Sequence, residues 1–173
     1  MRKTGPESEY PRFAWLQERF REEYGTFLTF LADRGMEAPY PDICDVTYVN
    51  HIVGGEGWTG HANLHAVFPT LQIPSVTLDG VDAEEADVRI RFATVGVDGQ
   101  PGRLHFRTYP AVRNTDGAKL LVVNFIARRR PAHPSVEDIL EALHDGHDWI
   151  VMTFKDVTSA DMHKVWGLED AGS

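Results

Sequence analysis

With 173 residues, 42% of them hydrophobic and 25% charged, the chain can bury one substantial core without metal or disulfide staples, and its composition excludes disordered, collagen-like and coiled-coil classes. A single cysteine, Cys44, allows no intramolecular disulfide, and no apolar run is long enough for a signal-peptide core or a membrane span, which points to the cytoplasm. The net charge of −9 is unevenly spread: residues 86–130 hold nine Lys/Arg against three Asp/Glu, and the rest holds eight against twenty-three, so a basic segment sits inside an acidic chain. Only four of the seventeen basic residues are lysine, a bias that suggests a GC-rich prokaryotic genome.

Residues 1–9 are polar and read as a flexible N-terminus, followed by one α+β domain over 10–167 and a short flexible tail over 168–173. From Pro11 the apolar residues Phe13, Leu16, Phe20, Tyr24, Phe27 and Leu31 recur every three or four positions, which predicts a helix from about Pro11 to Arg34 with an aromatic stripe facing the core. Pro11 suits its first turn, and Gly35 suits the left-handed position after its last. The β-branched and aromatic run Ile43–Ile52 predicts a strand with Cys44, Val46, Tyr48 and Ile52 inward. A glycine-rich loop, Gly54 to Gly60, breaks it, and a short helical stretch from His61 to Phe68 ends at Pro69. No clear period runs from there to about Glu85.

Three strands follow. Val88, Ile90 and Phe92 alternate with Arg89 and Arg91; Leu104, Phe106 and Thr108 alternate with Arg103, His105 and Arg107; residues 120–127 are apolar on both faces. Asp98-Gly99 and Asp116-Gly117 mark hairpins. The doubly apolar strand is expected at the centre of the sheet, and Pro110 at an edge or bulge. Ser135-Val136-Glu137-Asp138 then opens a capped amphipathic helix through Leu143, His147, Ile150 and Phe154, and a shorter helix ends at Trp166-Gly167. The prediction is an α+β fold: an antiparallel sheet of about four or more strands, with a long N-terminal and a C-terminal helix packed on one face.

Several residues invite a chemical reading. Gly55-Glu56-Gly57-Trp58-Thr59-Gly60 matches G-x-G-x-x-G in letters, but Pro69 stops the following helix too early for a dinucleotide fold and Glu56 and Trp58 would crowd a phosphate; a flexible surface loop is the expectation. His61 and His65, four apart on the short helix, could share a metal with His51, the spacing being a weak signal without a third ligand on the same element. His147 lies on the apolar side of its helix and reads as a hydrogen-bonded core residue, while Asp145 and Asp148 read as a solvated face. No G-x-S-x-G or activated cysteine is present. No cofactor is implied. The arginines carry most weight. Alternation places Arg89 and Arg91 together, Arg103, His105 and Arg107 beside them, and Arg128 to Arg130 at the end of the last strand, a basic face for an acidic partner, a carboxylate or a phosphate. Such charges also discourage edge association, and acidic neighbours can neutralise them.

Two motifs carry a resemblance: Cys44-Asp45-Val46-Thr47-Tyr48-Val49-Asn50-His51-Ile52, and Leu143-His144 with His147-Asp148-Trp149-Ile150, Phe154, Thr158 and the terminal Trp166. The chain resembles, from Tyr10 to Trp166, a sporadically distributed family of uncharacterised prokaryotic proteins with a "VTYVNHI" strand and an "H-x-W-I…F…T…W" terminus. The resemblance implies no activity, cofactor or catalytic residue; patchy occurrence implies accessory genes of defence or toxin–antitoxin type. Family members carry a further N-terminal region ending in an "NWRK"-like segment, which this chain departs from by starting at Met1-Arg2-Lys3. If that region supplies strands, the sheet here presents an unpaired edge for a homodimer or a second polypeptide.

The leading expectation is a cytoplasmic, non-enzymatic protein-binding or assembly module that uses the sheet edge and the face of Arg89, Arg91, Arg103, His105 and Arg107. The alternative is a small enzyme or a ligand or metal receptor built on His51, Glu56, His61 and His65. A third reading, a small anion or nucleic acid held by charge, predicts binding that collapses with salt; nucleic acid suits the acidic domain less well than protein does.

Overall fold

The computed structural model describes residues 12–168 apart from Glu56, residues 74–78 and Asp82, and apart from the side chain of His61. The tail expected over 1–9, the predicted start at Pro11 and the tail beyond Leu168 lie outside the described residues. The first helix, α1, spans Phe13–Asp33. It ends as Gly35 allows: φ is +64° there, the Gly35 N–H reaches Ala32 O at 3.0 Å and the Met36 N–H reaches Leu31 O at 2.9 Å, the paired bonds that close a helix through a left-handed glycine. Strand β1 spans Cys44–Val53. A 3-10 turn over His61–Asn63 and the four-residue helix α2, Leu64–Val67, follow. Strands β2 (Val88–Val95), β3 (Pro101–Val112) and β4 (Lys119–Arg129) form the meander, and helices α3 (Val136–Val157) and α4 (Ala160–Trp166) complete the domain.

The sheet is wholly antiparallel with strand order β1-β4-β3-β2. The doubly apolar β4 is central, between β1 and β3. Pro110 sits where β3 has outrun its outer neighbour: β2 pairs with β3 only as far as Thr108, so the missing N–H breaks no bond on that side. One face of the sheet carries Val46, Tyr48 and Ile52 of β1, Leu121, Val123, Phe125 and Ala127 of β4, Leu104 and Phe106 of β3, and Val88, Ile90 and Phe92 of β2, and these make the core with Ile150 and Trp149 of α3. The period-two alternation of β1 predicts its inward residues correctly.

Helix α3 begins as its sequence demands, with the Asp138 N–H donating to Ser135 Oγ at 3.0 Å, one of the four amides an uncapped helix would leave unsatisfied. It lies close to the sheet because Gly146 faces β1 and β4: a Cβ built there would come within 3.1 Å of Val46 Cγ2 and 3.3 Å of Ala127 Cβ. Helix α4 is held by Ser159, whose Oγ accepts from the Met162 N–H at 3.2 Å and donates to Ala66 O at 2.6 Å.

Helix α1 lies against α3, with Phe13 stacked on His147 at 4.1 Å between ring centres, Gln17 donating to Leu140 O, and Phe20 and Tyr24 packed on Cys44, Ile139 and Ala142. The stripe expected to be core is buried only in part. Leu31 is buried, Phe13, Phe20 and Tyr24 are half-buried, and Leu16 and Phe27 are exposed, as are Trp15 and Phe30. The correction has a physical cause: α1 meets chiefly α3 and only the Cys44 end of the sheet, and a helix–helix seam covers a narrower stripe than a sheet does.

Candidate functional site

The pairing register converts the alternating arginines into a grid on the face of the sheet that points away from α3. Arg89 pairs with Arg107, and Arg107 with Asn124; Arg91 pairs with His105, and His105 with Ile126; Ala93 pairs with Arg103, and Arg103 with Arg128. Cross-strand partners share a face, so five guanidiniums and an imidazole occupy three rows about 7 Å apart on strands about 4.8 Å apart. Arg89, Arg91, His105, Arg107, Asn124, Ile126 and Arg128 line a shallow concavity of about 440 Å³. Of the residues expected on this face, Arg103 lies in the row beyond and donates to Gly102 O at 2.8 Å. Leu120 and Val122, on the same face nearer the other end of β4, are buried, so the open part is the end that bears the arginines.

Two carboxylates stand at opposite corners of the grid. Asp87 accepts from Nε and Nη2 of Arg107, at 3.0 and 2.6 Å, and from those of Arg89 at 3.4 and 3.3 Å; these hydrogen bonds hold the pKa of its carboxyl well below the usual range, and the bond to Asp87 raises the pKa of the Arg107 guanidinium. Asp45 takes Arg128 at 2.7 and 2.6 Å. Arg107 also lies over the Tyr109 ring, 4.3 Å from its centre. Among the described residues Arg91, Arg103 and His105 have no carboxylate partner. The centre of the face is therefore unneutralised, with rims already paired. Such an arrangement orients guanidinium forks and leaves a positive centre for incoming oxygen acceptors.

Arg129 departs from the basic face expected of Arg128 to Arg130. It has the inward parity of Phe125 and Ala127, and its side chain is 1% exposed. It meets Asp98 at 2.7 Å and Asp145 at 3.0 Å, with Glu141 at 3.6 Å. Asp145, expected on a solvated helix face, is 5% exposed and accepts from the Val97 N–H at 3.3 Å. This ionic cluster docks the β2–β3 hairpin, Gly96 to Gln100, onto α3. Burial pushes the Asp98 carboxyl up, but the Arg129 hydrogen bonds and the Gln100 N–H outweigh it and hold it below its ordinary value. The signal was present in the sequence: Arg129 continues the inward alternation of β4, and Asp145 lies three residues after buried Ala142 and one before Gly146.

Of the histidine constellation only part lies among the described residues. His51 is exposed on β1 and His65 on α2, while the side chain of His61 and all of Glu56 lie outside the described residues. Among the described residues no group of three His, Cys, Asp or Glu side chains gathers where one metal ion could be held. The described residues of the glycine-rich loop are mostly exposed, as expected of a surface loop, but Trp58 is 1% exposed, and Gly57, at φ +77°, lies so close to α4 that a Cβ would come 2.5 Å from Met162 Sδ. It borders a hollow of about 580 Å³ with Lys119 on its wall. His147 is the core residue expected, its Nδ1 2.7 Å from Tyr48 Oη; burial lowers its pKa, Asp148 opposes and His144 adds to the lowering. Cys44 is buried, and burial pushes its thiol up against the pull of Arg129, which makes it a poor nucleophile.

No helix among the described residues is long and apolar enough to cross a membrane. No protein-family model, curated protein or solved structure matches the chain.

Proposed function

We propose that this protein is a non-enzymatic binding module whose open sheet face receives an acidic segment of a partner protein. The observation that carries this reading is the row of Arg91 and His105, without a carboxylate among the described residues, with Arg103 in the next row, set between arginines that Asp87 and Asp45 hold in fixed orientation. Guanidiniums held in place lose less freedom on meeting a carboxylate than free ones do. A polypeptide fits better than single-stranded nucleic acid, which binds sheet faces by stacking bases on exposed aromatic rings. The only Phe, Tyr or Trp on this face of the four strands is Tyr109, and Arg107 covers it. The resemblance to a sporadically distributed family suits a module of an accessory locus of defence or toxin–antitoxin type.

The test is a pull-down of tagged protein from its host at low and high salt, wild type against the Arg89→Gln, Arg91→Gln, Arg103→Gln, Arg107→Gln variant, with proteins and nucleic acid both assayed in the eluate. A stoichiometric protein captured by wild type, weakened by salt and lost from a folded variant supports the reading. Equal capture by the variant removes the arginine face from it, and nucleic acid in place of protein overturns the choice of partner.

A further inference from the structure

The open face of the sheet divides along its middle. On β2 and β3, Arg91 makes no ion pair or side-chain hydrogen bond among the described residues, and Arg103 bonds only the Gly102 carbonyl. On β1 and β4 the same rows carry no free charge: Asp45 and Arg128 hold each other, and Thr47, Val49, Asn124 and Ile126 are uncharged. Val49 is 54% exposed, and Ile126 lines the concavity beside the arginines. Neither half of the face offers backbone groups, because β3 and β4 are paired along both sides.

We propose that the partner's acidic segment is an amphipathic α-helix laid along β3 and β4, with carboxylates on one flank against Arg91 and Arg103 and apolar side chains on the other against Ile126 and Val49. The inference rests on the arginine face being the binding surface and adds the form of its occupant. An extended segment laid on a sheet face finds no ladder to join, so its own N–H and C=O groups are left against side chains; a helix arrives with its backbone bonds made. The charge is one-sided, and so is the segment that fits it: a uniformly acidic one would set carboxylates against Val49 and Ile126, where nothing replaces their lost hydration. The dimensions agree. Strands β1 and β3 lie about 10 Å apart across β4, the width of a helix with its side chains, about 10–12 Å. Arg103 and Arg91 stand on successive rows about 7 Å apart, and carboxylates at i and i+4 step about 6 Å along a helix. Helix α3 covers the opposite face of the sheet, so the partner's helix makes a third layer.

Three synthetic probes test it on the full chain: an alanine-rich peptide of about 18 residues with Glu along one helical flank and Leu along the next, an isomer of the same composition with that pattern scrambled, and oligoglutamate. The patterned peptide is expected to bind about tenfold more tightly than either of the others and to gain helical circular dichroism on binding. Val49→Ser, an exposed substitution, weakens the patterned peptide about fivefold and leaves oligoglutamate unchanged, whereas Arg91→Gln with Arg103→Gln weakens both. Equal binding of the patterned peptide and its isomer, or indifference to Val49→Ser, overturns the helix and leaves the arginine face as the binding surface. Binding that survives the loss of Arg91 and Arg103, or no binding of any of the three probes, overturns both.

Discussion

Arg128 and Arg129 are neighbours in sequence and opposites in circumstance. Arg128 lies on the open face, 46% exposed and paired with Asp45; Arg129 points the other way, 1% exposed, among Asp98, Asp145 and Glu141. One strand step exchanges a solvated charge for a buried one, because successive side chains leave opposite faces of a strand. The consequences differ. A buried cation with carboxylates around it cannot lose them without leaving charge stranded in a poor solvent, so Arg129 is committed to structure. An exposed pair is worth little to stability and can be exchanged for a partner's carboxylate at small cost, so the arginines of the open face are available for binding.

The sharpest way to break this contrast is Arg129→Met, which leaves Asp98 and Asp145 without their cation. A loss of about 3–5 kcal/mol in denaturant unfolding is expected; a near-neutral result would mean that water reaches the cluster and that the two arginines are not so different. Gly96→Ala presses on the same cluster from the hairpin, because its Cβ would come 2.5 Å from Asp145 Oδ2 and 2.8 Å from an Arg129 Nη. A cost of about 1–3 kcal/mol is expected, with the hairpin amides exchanging faster.

A smaller effect concerns pH on the buried side. Burial depresses the pKa of His147, so the unfolded chain binds the proton more readily than the folded one. Stability contributed by neutral His147 is therefore full above its unfolded value of about 6.5 and is lost as pH falls below it. Urea midpoints measured above and below that value are expected to differ in wild type and to converge in His147→Gln; an unchanged difference would assign the acid sensitivity elsewhere. The smallest expected effect is on the open face. The fourfold Arg89, Arg91, Arg103, Arg107 to Gln variant is expected to unfold within about 1 kcal/mol of wild type, and a larger loss would show that the face is structural after all.

Much of the fold was legible in local pattern. The cap at Ser135, the left-handed end of α1 at Gly35, the alternation of β2 and β3, the central place of β4 and the inward histidine at 147 all depend on residues within a few positions of one another. The aromatic stripe of α1 is buried less than its spacing predicts, because periodicity tells which side of a helix is apolar and not how wide a partner will cover it. Asp145 and Arg129 escape local pattern for a related reason. Each looks polar in its own element, and they become a buried pair only when Gly146 lets α3 approach β4 and the Gly96–Gln100 turn folds over both. The glycine-rich loop is largely surface, and what its own residues do not tell is that Trp58 is buried and that α4 comes against Gly57.

By itself, then, the sequence determined the elements, their inward faces and the sign of charge on each strand, since these follow from side-chain spacing and backbone stereochemistry. Only the tertiary structure decided which charges are buried and which are free, because burial is a property of what packs against a side chain, and that partner lies elsewhere in the chain.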